Sequence, residues 1–260
     1  MAVAVRAFRA GPLTAAIALL TTATFAAQLA EPAVVDLLHR DAALIRDGQW
    51  WRLLSPLLVQ PSGWGQYLYN TLGLLLVGVA VERRLGQVRW LLLFLAGGLA
   101  GVAFALLLDP SGTGGGSSDA VAALIGALAV LTWRDSSPPA MASRLYGFHF
   151  TVYLAVLAAA GPTAGTIAGA LAVAVFMATR AGRVGRWGLA AAVVTGALVM
   201  VGLGDPHGVG LLTGLVLAMA LARTAAKPTT PRPRSGDELE PGVGAPTGAP
   251  AGAAPPPQTP

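Results

Sequence analysis

The sequence predicts an all-α membrane protein that crosses the bilayer several times. Hydrophobic residues make up 55% of the 260-residue chain and charged residues only 11%, and the mean hydropathy is +0.65. Several stretches approach the ~20 apolar residues that a helix needs to cross ~30 Å of hydrocarbon. Most basic residues lie at the ends of these stretches, where such residues act as topology signals.

Eight apolar segments are predicted to span the membrane. They cover residues 11–30, 64–81, 90–108, 118–133, 146–160, 163–179, 187–203 and 207–222. The first follows Arg6 and Arg9, and we interpret it as an uncleaved helix because its apolar run is long for a signal peptide. Gly161 and Pro162 interrupt the stretch 146–179. An alternative with six or seven spans, in which this stretch is one broken element, therefore stays open.

The distribution of lysine and arginine predicts that the N-terminus lies inside. In this orientation 14 of the 17 basic residues fall on the inner side, and only Arg40, Arg46 and Arg52 lie outside. Cytoplasmic segments retain Lys and Arg, so both termini are expected to be cytoplasmic. The abundance of Arg, Ala, Gly and Pro indicates a GC-rich bacterial genome, and the expected location is the bacterial plasma membrane.

Two domains are predicted, a membrane domain over residues 1–223 and a tail over residues 224–260. The membrane domain includes a long outer loop, residues 31–63, in which the Trp-Trp-Arg run at 50–52 is expected to anchor the chain at the headgroup interface. The tail is rich in Pro, Gly and Ala and has almost no large apolar side chain. Because such a segment cannot offset its ordering entropy, it is predicted to be a disordered cytoplasmic tail.

The composition excludes several kinds of site. The chain has no cysteine, so it has neither disulfides nor thiolate metal sites. With only three histidines and few carboxylates in the apolar segments, no dedicated metal site is expected. The net charge of +5 comes from arginine at segment ends rather than from a basic stripe interleaved with aromatics, so no nucleic-acid partner is expected.

Polar side chains at four positions in the spans indicate a structural or functional role, because such groups are energetically costly in hydrocarbon. Gln66 and Asn70 lie four residues apart on one face of the second span. Ser118 opens the fourth span, and His207 opens the last. Small residues follow on the same two faces, where they let helices pack closely: Ala122 and Gly126 after Ser118, and Gly210 and Gly214 after His207.

Ser118 and His207 are predicted to act as a nucleophile and its base. His39 lies in the outer loop and His149 near the inner end of its span, so only His207 is expected at the depth of Ser118. A serine hydroxyl is a weak nucleophile until a positioned base takes its proton. Neutral imidazole suits that role near pH 7.

A developing oxyanion needs hydrogen-bond donors aimed at it. Asn70 and Gln66 each carry an amide NH₂ group, and the backbone N–H of Ser118 is a third candidate. Asp205 lies two residues before His207 and could orient its ring. A serine–histidine pair without a carboxylate is the more economical hypothesis.

Each of these residues also has a purely structural interpretation. Ser118 suits a helix N-cap, and Asp119 suits the positive end of a helix dipole. His207 is typical of a residue at the membrane interface. Gln66 and Asn70 are also consistent with hydrogen bonds to another helix.

In their order along the chain, five motifs resemble those of the rhomboid family of intramembrane serine proteases. The resemblance covers about residues 10–222. Its motifs are the Trp-Arg loop signature at 48–56, the second helix at 64–72, the turn at 82–86, the nucleophile motif and its helix at 116–127, and His207 with Gly210 and Gly214.

This resemblance implies a rhomboid-like helical bundle that cleaves other membrane proteins. Ser118 would be the nucleophile, His207 the general base, and Asn70 part of the oxyanion hole together with Gln66. The substrates would be transmembrane proteins that enter sideways from the lipid bilayer. No cofactor is implied, and the oligomeric state is not indicated.

The chain departs from the family pattern at three points. Gln66 stands where the family usually has His, and Asp119 where it usually has Gly. The separation between Ser118 and His207 also exceeds that of a six-span core, which predicts an extra helical pair within 146–203. These departures leave open an inactive rhomboid-like protein that binds membrane clients. A small transporter or channel is a further alternative, although few charges lie between the helix ends.

Overall fold

A computed structural model describes residues 11–134, 137–179 and 182–224, without the side chains of 182–186 and 222–224. Residues 1–10 of the predicted membrane domain lie outside the described residues. So do residues 225–260, which include all but the first residue of the predicted tail.

The described chain is mostly helical. Its α-helices are α1 (Pro12–Ala30), α2 (Ala33–Leu38), α3 (Ala42–Arg46), α4 (Trp64–Gly73), α5 (Val79–Leu85), α6 (Gln87–Leu108), α7 (Ser118–Arg134), α8 (Met141–Thr179), α9 (Gly182–Gly202) and α10 (Pro206–Thr224). A π-helical turn, Leu74–Gly78, joins α4 to α5 without a break. Two short strands, β1 (Arg40–Asp41) and β2 (Thr113–Gly114), pair antiparallel and tie the outer loop to the segment before α7.

The helical bundle confirms the predicted all-α membrane fold. Within the described ranges, three helices are long and apolar enough to cross a membrane, namely Pro12–Ala30, Gln87–Leu108 and Met141–Thr179. Shorter apolar helices cover Trp187–Gly202 and Pro206–Leu221. The number of membrane crossings stays a prediction.

Helix α8 is broken at Gly161, whose φ of 82° and ψ of 179° lie outside the helical region, and Pro162 follows. The two halves fold back on each other. His149 Nδ1 lies 3.0 Å from the carbonyl oxygen of Gly169, and the rings of Phe148 and Phe176 have centroids 5.8 Å apart. This antiparallel arrangement favours two spans at 146–160 and 163–179 over one long element.

Helix α7 lies at the centre of the bundle. Every residue from Ala120 to Val130 is buried, as expected for a helix that is apolar all round. Helices α6, α9 and α10 pack around it. The helix that Ser118 opens is therefore held on several sides.

Helices α7 and α10 approach closely through glycines, as the small-residue pattern predicts. A Cβ atom on Gly214 would collide with the Ala123 carbonyl, and one on Gly126 would collide with the Leu211 carbonyl. Without side chains at these points the two backbones come into contact. Their first turns, which carry Ser118 and His207, therefore lie side by side.

The outer loop folds around Arg52, which is only 4% exposed. Its guanidinium donates hydrogen bonds to the Asp36 carbonyl at 2.8 Å, the His39 carbonyl at 2.9 Å and Gln49 Oε1 at 2.7 Å. The prediction that residue 52 is an interfacial anchor is therefore wrong, because its charge satisfies carbonyl groups inside the loop. Trp50 and Trp51 are exposed, as an interfacial position requires.

Candidate active site

Ser118 is the first residue of α7. It closely follows three consecutive glycines, residues 114–116, which we call the glycine loop. Gly116 has a φ of 129°, and its N–H donates a hydrogen bond of 2.8 Å to the Pro56 carbonyl. A Cβ atom here would collide with the side-chain amide of Gln66, so both the conformation and the space require glycine. Within the described residues, Ser118 Oγ makes no hydrogen bond. The N-cap interpretation of its side chain is therefore wrong.

His207 lies in the first turn of α10 and is held by Asp205. Asp205 Oδ1 accepts a hydrogen bond of 2.9 Å from the His207 backbone N–H and lies 2.6 Å from Nδ1 of the ring. On another side the ring of Phe150 meets the imidazole edge to face, at a centroid distance of 6.2 Å. The side chain of His207 remains 20% exposed, so the ring is oriented yet still accessible.

A second carboxylate faces the other ring nitrogen. Asp119 Oδ1 lies 3.8 Å from His207 Nε2, beyond hydrogen-bond distance. This oxygen is buried and has no hydrogen-bond partner among the described residues. The side chain fits only because Gly101 of α6 leaves room for it.

Arg40 lines the same cavity as Asp119. Its Nη2 donates a hydrogen bond of 3.2 Å to the Thr113 carbonyl, whereas its buried Nε has no partner within the described ranges. Burial lowers the pKa of Arg40, and the negative charges of Asp119 and Asp109 oppose that change. This guanidinium is the positive charge that acts on Asp119 from the outer loop.

Ser118, His207 and Gln66 line two cavities. The smaller, of about 200 Å³, lies toward the outer loop and is also bordered by Pro56 and Asp119. The larger, of about 550 Å³, lies between α4 and α8 and is also lined by Tyr69, Asn70, His149, Phe150 and Tyr153. The expectation that only His207 lies at the depth of Ser118 is therefore wrong, because His149 borders the same cavity. The structure therefore brings the predicted nucleophile and base to the same two spaces, although no hydrogen bond joins their side chains in the described part of the chain.

Both predicted oxyanion donors lie beside this site. Gln66 Nε2 donates a hydrogen bond of 2.9 Å to the Gly115 carbonyl, and its Oε1 accepts one of 3.0 Å from the Ser62 N–H. Gln66 thus holds the glycine loop against α4. Asn70 is buried, and its Nδ2 donates a hydrogen bond of 2.8 Å to Gln60 Oε1. Each amide retains a second N–H that these contacts do not use.

Gln60 and Gln28 support Asn70 and were not predicted as site residues. Gln60 donates its backbone N–H to Gln28 Oε1, and its carbonyl accepts from Gln28 Nε2, both at 2.9 Å. The only indication in the sequence was Gln28 itself, an amide in the first apolar span. Gln60 lies in a loop, where periodicity gives no information.

A local sequence pattern also indicates that Asp205 contacts His207. An Asp-Pro pair directly before an apolar helix is a typical capping arrangement, and an Asp so placed is close to the next side chain of the first turn.

Within the described residues, no group of three or more His, Asp or Glu side chains is arranged to hold a metal.

Comparison with known families decides the fold family. A model of the Rhomboid domain matches residues 47–177, about half of the chain. This chain belongs to the rhomboid family. The predicted family is thereby confirmed. The matched part of this rhomboid includes Gln66, Asn70 and Ser118 and ends before His207.

Two proteins of Bacillus subtilis (strain 168) are similar to this rhomboid. "Rhomboid protease GluP" is 34% identical over 117 residues, which are 45% of this chain and 22% of that protein. "Putative rhomboid protease YdcA" is 37% identical over 57 residues, which are 22% of this chain and 28% of that protein. The aligned parts thus span less than a third of either relative.

Proposed function

We propose that this rhomboid is an intramembrane serine endopeptidase in which Ser118 is the nucleophile and His207 the general base. The observation that carries the proposal is their shared position: both side chains line the same two cavities. Glycine contacts between α7 and α10 hold their helix ends together. The names of the two similar proteins support the same activity.

The proposed reaction needs only groups that the site supplies. Ser118 Oγ attacks the scissile carbonyl carbon while His207 Nε2 takes the hydroxyl proton. The C–N bond then breaks, and His207 gives this proton to the leaving amine. Water, activated by the same nitrogen, hydrolyses the acyl-enzyme and releases Ser118. The absent hydrogen bond between Oγ and Nε2 is consistent with a site that tightens when substrate binds.

The tetrahedral intermediate places a negative charge beside α4. As the first residue of α7, Ser118 has a backbone N–H without a partner inside the helix. We assign this group and the free N–H of Asn70 Nδ2 to the oxyanion hole. Gln66 adds a third donor through the N–H that does not hold Gly115.

The larger cavity would receive the few residues around the scissile bond of a transmembrane segment from another protein. This cavity lies between α4 and α8 and is lined by aromatic and aliphatic side chains together with the polar groups of Ser118 and His207. A segment in the lipid would enter sideways, in a bacterial plasma membrane with both termini of the enzyme in the cytoplasm.

The test is labelling of the purified protein by a fluorescent fluorophosphonate, which reacts with activated serines. We expect wild type to be labelled and Ser118→Ala and His207→Ala to be unlabelled. Ser117→Ala is the matched control, since Ser117 is adjacent and its buried Oγ has no partner among the described residues. Labelling that survives in Ser118→Ala contradicts the proposal.

A second candidate is a non-proteolytic rhomboid that binds membrane clients. The observation in its favour is Asp119, whose carboxylate faces the ring nitrogen that a base must keep free. This function predicts no labelling of folded wild type in detergent or in liposomes. It also predicts client capture that Ser118→Ala leaves unchanged, whereas an endopeptidase would lose cleavage in that variant.

A further inference from the structure

Asp205 makes two hydrogen-bonding contacts to one residue. Its Oδ1 accepts from the His207 backbone N–H at 2.9 Å and lies 2.6 Å from His207 Nδ1. The first contact caps α10, because it satisfies an N–H that has no partner inside the helix. The second fixes the imidazole ring. One carboxylate oxygen therefore sets both the start of the helix and the direction of its histidine.

The backbone holds Asp205 in this position. Its N–H donates a hydrogen bond of 2.8 Å to the carbonyl of Met200, a fully buried residue, and its own carbonyl accepts from the Gly208 N–H at 3.2 Å. Pro206 occupies the first position of α10, where its fixed φ favours the helix. The carboxylate is thus presented from a rigid turn.

The contact at Nδ1 determines which ring nitrogen carries the proton. Burial would raise the pKa of Asp205, but its hydrogen bonds with His207 and the charge of that ring hold it below the ordinary value. An ionised carboxylate only accepts hydrogen bonds, so Nδ1 must carry a hydrogen. In the neutral ring Nε2 is then the basic nitrogen, and it points toward Asp119 rather than toward Asp205.

We propose that Asp205 is a positioning residue for His207, so that the site works as a Ser118–His207–Asp205 triad rather than as a two-residue pair. This inference rests on the proposed function. Asp205 touches no reacting atom. It fixes the ring orientation and the tautomer, and it stabilises the imidazolium that forms when Ser118 loses its proton.

Asp205→Ser separates the two contacts of the carboxylate. Serine is a good N-cap but is too short to reach Nδ1, so α10 keeps its cap while the ring loses its partner. We expect a thermal midpoint close to that of wild type, an unchanged KM and a kcat lowered roughly 10²-fold. In Asp205→Asn, which keeps an acceptor oxygen without the charge, kcat is expected to lie between those of wild type and Asp205→Ser.

Asp41→Ser is the matched control. Asp41 caps α3 through hydrogen bonds from the Ala43 and Leu44 N–H groups, at 2.9 and 3.0 Å, and it lies outside the active site. We expect its kcat to equal that of wild type. An Asp205→Ser variant with the same kcat as Asp41→Ser, or a loss explained wholly by KM, would overturn the inference.

Nitrogen NMR of ¹⁵N-histidine in the full chain gives a readout that does not need activity. The resonances of His207 are those that His207→Ala lacks. At a pH where the ring is neutral, we expect wild type to carry its proton on Nδ1 and Asp205→Ser to lose that preference. A wild-type proton on Nε2, or identical spectra for the two proteins, would overturn the inference even if no variant cleaves a substrate. A failure of the proposed function alone would leave the NMR difference intact.

Discussion

Nδ2 of Asn70 donates a hydrogen bond of 2.8 Å to Oε1 of Gln60, ten residues earlier in the chain. Gln60 is fully buried, and its backbone N–H and carbonyl both form hydrogen bonds with the side chain of Gln28 in α1. The orientation of Asn70, the proposed oxyanion donor, therefore depends on a loop residue that is itself fixed by the first helix.

Gln60→Leu is expected to lower both stability and kcat. The substitution leaves the buried Asn70 amide without its acceptor, which costs about 1–3 kcal/mol, and frees Asn70 to rotate away from the oxyanion. Thermal unfolding followed by circular dichroism and steady-state cleavage measure the two effects. Ser143→Ala is the control, because it removes a buried hydrogen bond to the Leu76 carbonyl at a different cavity. It should lower the thermal midpoint while the Asn70 bond persists. Equal kcat values for the two variants would count against a role for Gln60.

Gly214→Ala is expected to destabilise the protein by about 1–3 kcal/mol, because an added methyl group meets the Ala123 backbone and overpacks the contact between α7 and α10. The measurement is the thermal midpoint in detergent. Gly188→Ala in α9 is the matched control, because no atom lies within 4 Å of a Cβ atom there. A midpoint for Gly214→Ala at or above that of Gly188→Ala would show that the two helices do not need this close approach.

Gly116→Ala is expected to abolish fluorophosphonate labelling. The new side chain must adopt a φ of 129° and collides with Gln66, so the loop before Ser118 has to move. Gly63→Ala carries the backbone strain alone, since its φ is 78° and the space around it is open. We expect that control to lose stability but to keep labelling. Full labelling of Gly116→Ala would contradict the role assigned to the loop.

The stability of the outer loop is expected to depend on pH through Asp41. Hydrogen bonds from the Leu44 and Ala43 N–H groups lower its pKa below the ordinary value of 3.8. Because the pKa of Asp41 is lower in the folded protein than in the unfolded one, its ionised side chain stabilises the fold above pH ~4. This stabilisation is lost as the pH falls through the folded pKa. Asp41→Asn keeps the cap without the titration, so its thermal midpoint should fall less than that of wild type between pH 5 and pH 2. An equal fall in the thermal midpoints of wild type and Asp41→Asn would contradict this role of Asp41.

The helices were predictable where the chain is apolar and periodic. The predicted segment 90–108 falls within α6, and the segment 118–133 within α7. The break at Gly161 was visible as a Gly-Pro pair, but periodicity gives no information on whether the two halves fold back. That outcome depends on contacts between residues 148–157 and 165–176, which lie on opposite sides of the break.

The site was predictable only in part. Ser118, His207, Asn70 and Gln66 drew attention because polar groups are costly in a membrane helix. Arg52 was misplaced, because a guanidinium that satisfies three acceptors within its own loop has the same sequence pattern as one that faces lipid headgroups. The contact of Asp205 with His207 is local and was indicated by the spacing of two residues. The approach of Asp119 to the other side of the ring depends on packing between α7 and α10, which no spacing along the chain encodes.

The most direct test of the central claim is cleavage of a transmembrane reporter in liposomes that contain the purified protein, with the products mapped by mass spectrometry. If Ser118 and His207 form the catalytic pair, we expect a cut within or next to the transmembrane segment for wild type and for Ser117→Ala, and intact reporter for Ser118→Ala and His207→Ala. All four proteins must show the same cooperative unfolding transition. A reporter cut by Ser118→Ala as fast as by wild type would contradict the claim.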